Sequence, residues 1–323
     1  MNRRDFLAGA TAAPLLFGLA PDAFARRFGG TPLALVTADT ESRVTAVELW
    51  SGRIYRHLPT LPGPRSIESV LGETAVVAHT THGAVSLVDA RSLQVRNVLR
   101  AFAEPRYTAA SPTGRYAYVS DSKRGEVVVV DVVHSRVVHR TEVGGPARHI
   151  SIDPAGRRLW CSLGSKAKVV VVLDVSEPAR PRLVHSIRPA FRAHDVGFAP
   201  GGRHVWMTSG DRGVVAVYDA RTRRVLFTLD ADAPPQHVTF TDRDAHVTSG
   251  EDGTLRVHAL GGGRALRTTA IPKGSYNVQQ GFGRILTPSL DVGTLCVLDG
   301  RGALLERVQV AASSHDACFV MGA

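Results

Sequence analysis

Six histidine and aspartate side chains lie at equivalent places in widely separated segments of the chain, and their types could together bind a transition metal. They are His149, His194, Asp195, His237, His315 and Asp316. Imidazole nitrogens and carboxylate oxygens are ligands for first-row metals. A carboxylate can also hold a ligating histidine in place, and we expect this role for Asp195. The set would suit a transition metal or a haem, provided that the fold brings these segments together.

A second set of residues at the same places could bind an anionic or polar ligand. It contains Arg65, Arg106, Tyr107, Arg148 and Asn277. A guanidinium donates paired hydrogen bonds to carboxylate or phosphate, so an arc of arginines predicts an anionic ligand. The competing interpretation is structural, because polar residues where strands enter a hydrated channel stay wet or bond to neighbouring strands. The sequence leaves both roles open.

The segments that carry these residues belong to a repeat of about 40 residues. Its most regular part is a Pro-x-Gly-Arg turn, found at 112–115, 154–157 and 200–203, followed by a strand that ends in Ser or Thr. Each unit closes on an apolar strand that ends at a fixed place: Glu48, Asp89, Asp131, Asp174, Asp219, Ala259 and Asp299. Seven closing residues predict seven units.

Each unit has room for four short strands, for example 150–153, 158–162, 168–174 and 183–187. The apolar runs are rich in valine, which favours pleated strands over helix. Four-stranded units at this period predict an all-β, seven-bladed β-propeller spanning residues 33–323. The chain begins the repeat at a second strand (33–37) and ends with an unpaired innermost strand (315–320). We therefore expect the C-terminal strand to join three N-terminal strands and close the ring.

When the seven innermost strands are aligned on their first apolar residue, the two preceding positions in each are polar or tyrosine. We call these fourteen places the channel-mouth positions. The position directly before the apolar residue holds Ser66, Tyr107, His149, Asp195, His237, Asn277 and Asp316. The position before that holds Arg65, Arg106, Arg148, His194, Gln236, Tyr276 and His315. Loops and strand ends around the channel are where propellers usually bind ligands.

The repeat resembles the YVTN-type seven-bladed β-propeller family. The resemblance rests on Tyr118-Val119-Ser120-Asp121, on the following segment 125–131 (GEVVVVD), and on the blade connector 143–146 (VGGP). It covers nearly the whole chain after residue 32. It implies the fold but no particular chemistry, because the family includes many exported proteins without an assigned activity. Propellers of related architecture include haem-binding, lactonase and copper-dependent oxidase proteins.

The first 25 residues resemble a cleaved twin-arginine export signal. Arg3 and Arg4 precede Phe6-Leu7, a short apolar segment follows, and Ala23-Phe24-Ala25 provides a small-x-small cleavage pattern. Residues 26–32 would then form a short segment before the propeller. No later apolar segment is long enough to span a bilayer. We expect a soluble, monomeric protein outside the cytoplasm, in the periplasm, the cell envelope or the medium.

Charge and cysteine content narrow the classes of function. The net charge is +10, with 39 basic and 29 acidic residues, but the arginines are spread over turns and outer strands. Dispersed charge favours surface solvation or attraction to a polyanion over sequence-specific nucleic-acid binding. Three cysteines cannot form a disulfide scaffold, although a Cys296–Cys318 bond remains open. We expect Trp160 and Trp206, which share a repeat position, to be core residues.

Three functions remain from the sequence, of which the third is a polyanion binder that uses its arginines. The first is a non-enzymatic propeller that binds a small ligand or a protein partner on its channel face. The alternative is a metal- or haem-dependent oxidase or hydrolase that uses the histidine and aspartate set. Two glycine-rich segments, 209–213 and 249–253, have residues found in calcium loops, but their places in the repeat favour hairpin turns.

Overall fold

The structure of the chain is a computed structural model that describes residues 29–231 and 233–323. The expected export signal, residues 1–25, and residues 26–28 of the segment after it lie outside the described residues. Within the described part, no helix has the length and apolar character needed to cross a membrane.

The described chain folds into seven four-stranded antiparallel sheets, which are the blades of a β-propeller. Blade 1 consists of β1 (Pro32–Ala38), β2 (Arg43–Glu48), β3 (Ile54–Pro59) and β28 (Ala317–Met321). Blade 2 consists of β4 (Pro64–Val70), β5 (Thr74–His79), β6 (Ala84–Asp89) and β7 (Gln94–Leu99), with a 3₁₀ turn at Thr80–His82. Blade 3 consists of β8 (Pro105–Ala110), β9 (Tyr116–Asp121), β10 (Glu126–Asp131) and β11 (Arg136–Glu142). Blade 4 consists of β12 (Ile150–Ile152), β13 (Arg158–Ser162), β14 (Val170–Asp174) and β15 (Arg182–Ile187).

The last three blades follow the same order. Blade 5 consists of β16 (Ala193–Phe198), β17 (His204–Ser209), β18 (Val214–Asp219) and β19 (Val225–Asp230). Blade 6 consists of β20 (Val238–Phe240), β21 (Asp244–Ser249), β22 (Thr254–Ala259) and β23 (Ala265–Ala270). Blade 7 consists of β24 (Gln279–Gly281), β25 (Arg284–Pro288), β26 (Thr294–Asp299) and β27 (Leu304–Gln309). The predicted fold class is confirmed, and all seven closing residues of the repeat are the last residues of third strands.

Ring closure is also confirmed, because β28 pairs with β1 and places Cys318 opposite Leu35. The strand begins two residues later than the sequence predicted. The reason is that the backbone amides of His315 and Asp316 donate to the Thr37 hydroxyl, at 3.3 and 3.0 Å, instead of entering the ladder. Closure by a strand from the other end of the chain leaves blade 1 without an open inner edge.

The hydrophobic core is divided among the interfaces between neighbouring blades. One cluster joins Val127 and Val129 of blade 3 to Leu159 and Val171 of blade 4, and comparable clusters fill the other six interfaces of the described ring. Each blade therefore buries both faces against its neighbours and could not do so alone. These interfaces fix the seven innermost strands around the channel.

The structure bears on one prediction about buried side chains and on one possibility that the sequence left open. Trp160 and Trp206 are completely buried in two of the interface clusters and are core residues, as predicted. The Cys296–Cys318 bond is not formed, and both residues are free, buried thiols. Cys296 lies in the interface between blades 6 and 7, whereas Cys318 lies in the interface between blades 1 and 2, so blades 7 and 1 separate the two interfaces.

The two glycine-rich segments are hairpin turns, as predicted. Residues 209–213 join β17 to β18, and residues 249–253 join β21 to β22. In the first turn the Asp211 carboxylate accepts hydrogen bonds from the Ser209 hydroxyl, at 2.8 Å, and from the backbone amide of Arg192, at 3.2 Å. The aspartate therefore ties the turn to the strand beside it.

Candidate metal and ligand site at the channel mouth

Hydroxyl groups of the second strands hold the backbone of the channel-mouth positions. Ser120, at the end of β9, donates to the carbonyl of Arg148 in the next blade at 2.6 Å. Ser162 of β13 donates to the carbonyl of His194 at 2.9 Å, and Thr208 of β17 contacts the next blade in the same way. The sequence shows the Ser or Thr that ends these strands but does not indicate its role. Its recurrence in the repeat was the available indication.

Three of the six expected metal-binding residues converge. His149, His194 and His237 come from blades 4, 5 and 6, which are consecutive in the ring, and one ring nitrogen from each lies within 4.8 Å of the others. The ring centres of His149 and His194 are 4.4 Å apart, and those of His149 and His237 are 4.8 Å apart. His149 and His237 are buried, and His194 is partly exposed at the rim.

The hydrogen bonds of the three imidazoles leave the same nitrogen available in each. His237 donates from Nδ1 to the Asp195 carboxylate at 3.2 Å, and His194 donates from Nδ1 to the carbonyl of Ser165 at 2.9 Å. The Ser162 hydroxyl donates its proton to the carbonyl of His194. Its oxygen is therefore an acceptor for Nδ1 of His149, which lies 3.4 Å away. With Nδ1 protonated, each neutral ring carries its lone pair on Nε2. Nε2 of His149 is buried and has no hydrogen-bond partner in the described chain.

Burial keeps the imidazoles of His149 and His194 neutral. It lowers the pKa of His194 to about 3 and holds the pKa of His149 well below its ordinary value, and neighbouring positive charges contribute in the same direction. A neutral imidazole is the form that binds a metal. These two histidines are therefore in their ligating form at neutral pH.

The spacing of the three nitrogens is wider than in a formed metal centre but within reach of one. If all three separations were at the 4.8 Å limit, a central metal would lie about 2.8 Å from each nitrogen, and each ring would have to move by about 0.7 Å to reach the 2.0–2.1 Å of a metal–imidazole bond. A small rotation of a histidine side chain gives a displacement of this size. The three residues therefore fit a metal ion.

The remaining three residues of the expected metal set are bonded elsewhere or act through another group. Asp195 contacts Nδ1 of His237 and also accepts from the amide of Val238, at 3.2 Å. Asp316 makes the equivalent inter-blade bond to the amide of Ile67, at 3.0 Å, and burial raises its pKa well above the usual range. His315 lies outside the three-histidine group.

His315 and Asn277 take part in closing the ring. Nδ1 of His315 lies 3.0 Å from the carbonyl of Arg65, and the Asn277 amide donates to the carbonyl of His315 at 2.8 Å. Blades 7, 1 and 2 are thus linked at the rim. Asn277, which the sequence placed in the ligand-binding set, uses its amide nitrogen in this link.

The other residues of that set lie beside the histidines. The Arg65 guanidinium pairs with Asp39 at 2.9 Å, and the Arg106 guanidinium pairs with Glu104. The Tyr107 ring packs 4.3 Å from the ring of His149 and 5.4 Å from that of His237, centre to centre. Burial raises the pKa of Tyr107 to about 12, so its hydroxyl stays protonated.

A polar cavity of about 210 Å³ lies in the channel beside this cluster. His149, His237 and Tyr107 form part of its wall, and Glu68 and Asp316 line it on the side of blades 1 and 2. Its volume is below the roughly 300–1,000 Å³ of pockets that bind drug-sized molecules. A haem does not fit in this cavity, so the arrangement favours a metal ion with a small ligand.

Comparisons with known proteins support the fold alone. No protein-family model and no curated protein matches the chain. Among solved structures, it is similar to a protein of unknown function from Desulfotomaculum acetoxidans, with 10% identity, a TM-score of 0.78, and coverage of 90% of this chain and 99% of that one. It is also similar to Kuenenia stuttgartiensis hydrazine synthase, with 18% identity, a TM-score of 0.66, and coverage of 80% and 89%.

A third similar structure is the dihydro-haem d1 dehydrogenase NirN, with 15% identity and a TM-score of 0.64. The match covers 86% of this chain but only 63% of the NirN chain. At these identities the matches show that the chain is a propeller and do not transfer an activity. YVTN-type membership stays a prediction from the sequence.

Proposed function

We propose that the protein is a metal-binding β-propeller whose channel mouth holds a divalent first-row transition metal on Nε2 of His149, His194 and His237. The observation that carries this proposal is the convergence of three imidazoles from three consecutive blades, with one ring nitrogen of each within 4.8 Å of the others. Nε2 of His149 is buried without a partner. A bound metal would satisfy it and remove the cost of an unpaired buried polar group.

The donor set selects the kind of metal. Imidazole nitrogens suit zinc, copper, nickel, cobalt and iron, whereas calcium and magnesium prefer oxygen ligands. The Asp195 carboxylate on Nδ1 of His237 is the arrangement that orients a ligating histidine and increases its basicity. Three protein ligands leave at least one coordination position for a molecule from outside. We therefore infer that the ligand of this propeller binds at the metal.

Metal titration of the metal-free protein tests the proposal. We expect one equivalent of Zn²⁺ or Cu²⁺ to bind, and H194Q to weaken binding by at least about 100-fold, since one of three ligands is lost. The matched control is H185Q, which changes an exposed histidine on the outer strand β15. Melting of metal-free H194Q should stay close to that of the parent protein. Equal metal affinity of H194Q and the parent, or a large loss of stability without a change in affinity, would show that the cluster is structural.

A metal-dependent enzyme is the second candidate, and the open coordination position favours it. A metal with three histidine ligands can activate a bound water or polarise a substrate. A hydrolase or oxidase would show turnover that depends on the metal and disappears in H194Q. If metal-loaded protein binds small ligands without turnover of esters, lactones or oxidisable substrates, the binding function stands and the enzymatic one does not.

We also propose that the protein is exported by the twin-arginine route, which rests on residues 1–25 alone. Replacement of Arg3 and Arg4 by lysine should retain the protein in the cytoplasm. N-terminal sequencing of the exported form should show cleavage after Ala25. Export of the double-lysine variant at the parental rate would contradict this route.

A further inference from the structure

Of the three arginines at the channel mouth, Arg148 differs from the other two in having no acidic partner. Arg65 and Arg106 each pair with a carboxylate, Asp39 and Glu104 respectively. Across residues 29–231 and 233–323, no carboxylate lies within ion-pair distance of Arg148, and its guanidinium donates no hydrogen bond. Its Nε is buried without an acceptor, as is that of Arg106.

A bound anion would offset the positive charge of Arg148. The side chain is half-buried, and Arg106 and Arg65 add like-charge repulsion that the charge of Glu104 offsets in part. An arginine does not release its proton in a protein. A half-buried guanidinium without an ion-pair partner therefore suits a bound anion.

The unpaired cation lies at the proposed metal centre. Arg148 directly precedes His149 in the chain, and its charge acts on His149, His194 and His315. Its backbone is fixed on both sides, because its amide donates to the carbonyl of Ser162 at 3.0 Å and its carbonyl accepts from Ser120. These bonds hold the base of the Arg148 side chain beside His149.

Tyr107 supplies a second donor at the same place. Its ring is in contact with His149 and His237, and the charge of Arg148 acts on its hydroxyl. Tyr107 bonds to Ser120 through its backbone amide and carbonyl, and its hydroxyl bonds to no residue of the described chain. A phenolic hydroxyl beside an unpaired guanidinium can donate to the same acceptor.

We propose that the channel mouth binds a small oxyanion, a carboxylate or a tetrahedral anion such as phosphate, between the metal and Arg148. One oxygen of the anion occupies the open position on the metal, and the others accept hydrogen bonds from the Arg148 guanidinium and the Tyr107 hydroxyl. This assignment rests on the metal centre proposed above. A divalent metal and Arg148 together bring three positive charges. Within the described chain, the only carboxylate in contact with the three imidazoles is that of Asp195. An anionic ligand would therefore also improve the charge balance.

Titration of the Co²⁺-loaded protein with inorganic phosphate and with acetate tests the assignment, because the visible spectrum of Co²⁺ reports a change of ligand. We expect both anions to shift the spectrum of the parent protein, and R148Q to weaken the binding of the preferred one by about 10- to 100-fold. Co²⁺ stoichiometry should be unchanged in R148Q. The control is R157Q, which removes the same charge from an exposed turn between β12 and β13 and should bind as the parent does.

Two further variants keep the test decisive. R148K retains the charge but loses the paired donors, and we expect an affinity between those of the parent and R148Q. Y107F removes only the hydroxyl and should weaken binding less than R148Q does. If R148K weakens acetate binding more than phosphate binding, the site prefers a planar carboxylate. The reverse result indicates that it prefers a tetrahedral anion.

The outcomes separate this proposal from the metal centre itself. If Co²⁺ binds to the three histidines and R148Q binds phosphate and acetate as tightly as the parent, the anion site is wrong and the metal centre stands. If Co²⁺ does not bind, the metal centre is wrong. Calorimetric titration of the metal-free parent and R148Q with phosphate then decides whether Arg148 binds an anion without it.

Discussion

Replacing Glu68 by glutamine should stabilise the protein at alkaline pH and leave its stability at acidic pH nearly unchanged. Glu68 lies on β4, two residues after Ser66, and lines the central cavity. Its carboxylate accepts from the amide of Ser69 at 2.9 Å and lies 3.5 Å from the amide nitrogen of Gln279. Burial outweighs these bonds and raises the pKa of Glu68 from 4.5 to about 7.

The magnitude follows from that difference in pKa. A difference of about 2.5 corresponds to about 3.4 kcal/mol, and because the side chain faces a polar cavity that can admit water we expect about 2–3 kcal/mol. Below pH 4.5 the carboxyl is protonated in both the folded and the unfolded chain, so it carries no penalty. As the pH rises toward 7 the unfolded chain releases the proton first, and folding stability falls. Above pH 7 the loss is complete, and E68Q avoids it.

Thermal and urea unfolding of both proteins at pH 4, 6 and 8 measure the effect. At pH 8 we expect E68Q to be more stable by about 2–3 kcal/mol, or about 4–6 °C in melting temperature for a domain of this size. At pH 4 the two proteins should agree within about 0.5 kcal/mol. The control E251Q changes an exposed glutamate in a hairpin turn and should have no effect at either pH. Equal stability differences at pH 4 and pH 8, or a less stable E68Q at pH 8, would refute the reasoning.

Three other substitutions test the site and the ring. D195N should lower metal affinity by about 10- to 100-fold in a chelator competition, because it removes the carboxylate from Nδ1 of His237, and an unchanged affinity would contradict the positioning role. G197A should destabilise by about 1–3 kcal/mol in urea, since its new methyl group would lie 2.9 Å from an aromatic ring of blade 6, whereas G261A, with open space around it, should not. F319A should cost about 3–5 kcal/mol, because the buried ring fills the interface at which β28 closes the propeller, and a loss below 1 kcal/mol would show that closure does not depend on it.

The fold could be predicted from the sequence because each blade is a local unit. The Pro-x-Gly-Arg turn recurs in three units, the closing residue of each unit (Asp or Glu in six of the seven) recurs at intervals of 40 to 45 residues, and every closing residue proved to be the end of a third strand. Such features reflect hairpin geometry within about 40 residues of chain. Ring closure could be predicted for the same reason, since an incomplete unit at each end implies that the two complete each other.

The site could be predicted only as far as its channel-mouth positions. Asp195 and Asp316 occupy the same position and make the same bond to a backbone amide of the next blade. Asp195 contacts an imidazole because the neighbouring blade carries His237 there, whereas the blade next to Asp316 carries Ser66. The contacts between these side chains therefore depend on bonds between neighbouring blades. Such bonds join residues that are about 40 positions apart in the chain, or 249 positions apart where the ring closes. No pattern within one repeat contains that information.

The same limit explains why the sequence could not distinguish the three arginines from one another. Alignment placed Arg65, Arg106 and Arg148 at one position, and nothing in the sequence distinguished among them. Their difference arises from acidic residues outside the aligned positions, because Asp39 follows β1 and Glu104 precedes β8. Only the three-dimensional arrangement shows that two of the three charges are already neutralised.

X-ray absorption spectroscopy of the protein loaded with one equivalent of Zn²⁺ or Co²⁺ is the decisive measurement for the three-histidine centre, because it counts the ligands and identifies their type. We expect three imidazole nitrogens at about 2.0–2.1 Å, with the remaining position held by a light atom from solvent or an added anion. The H194Q variant should show one imidazole fewer. A spectrum of the parent protein with sulfur ligands, or with no more than one imidazole, would contradict the three-histidine centre.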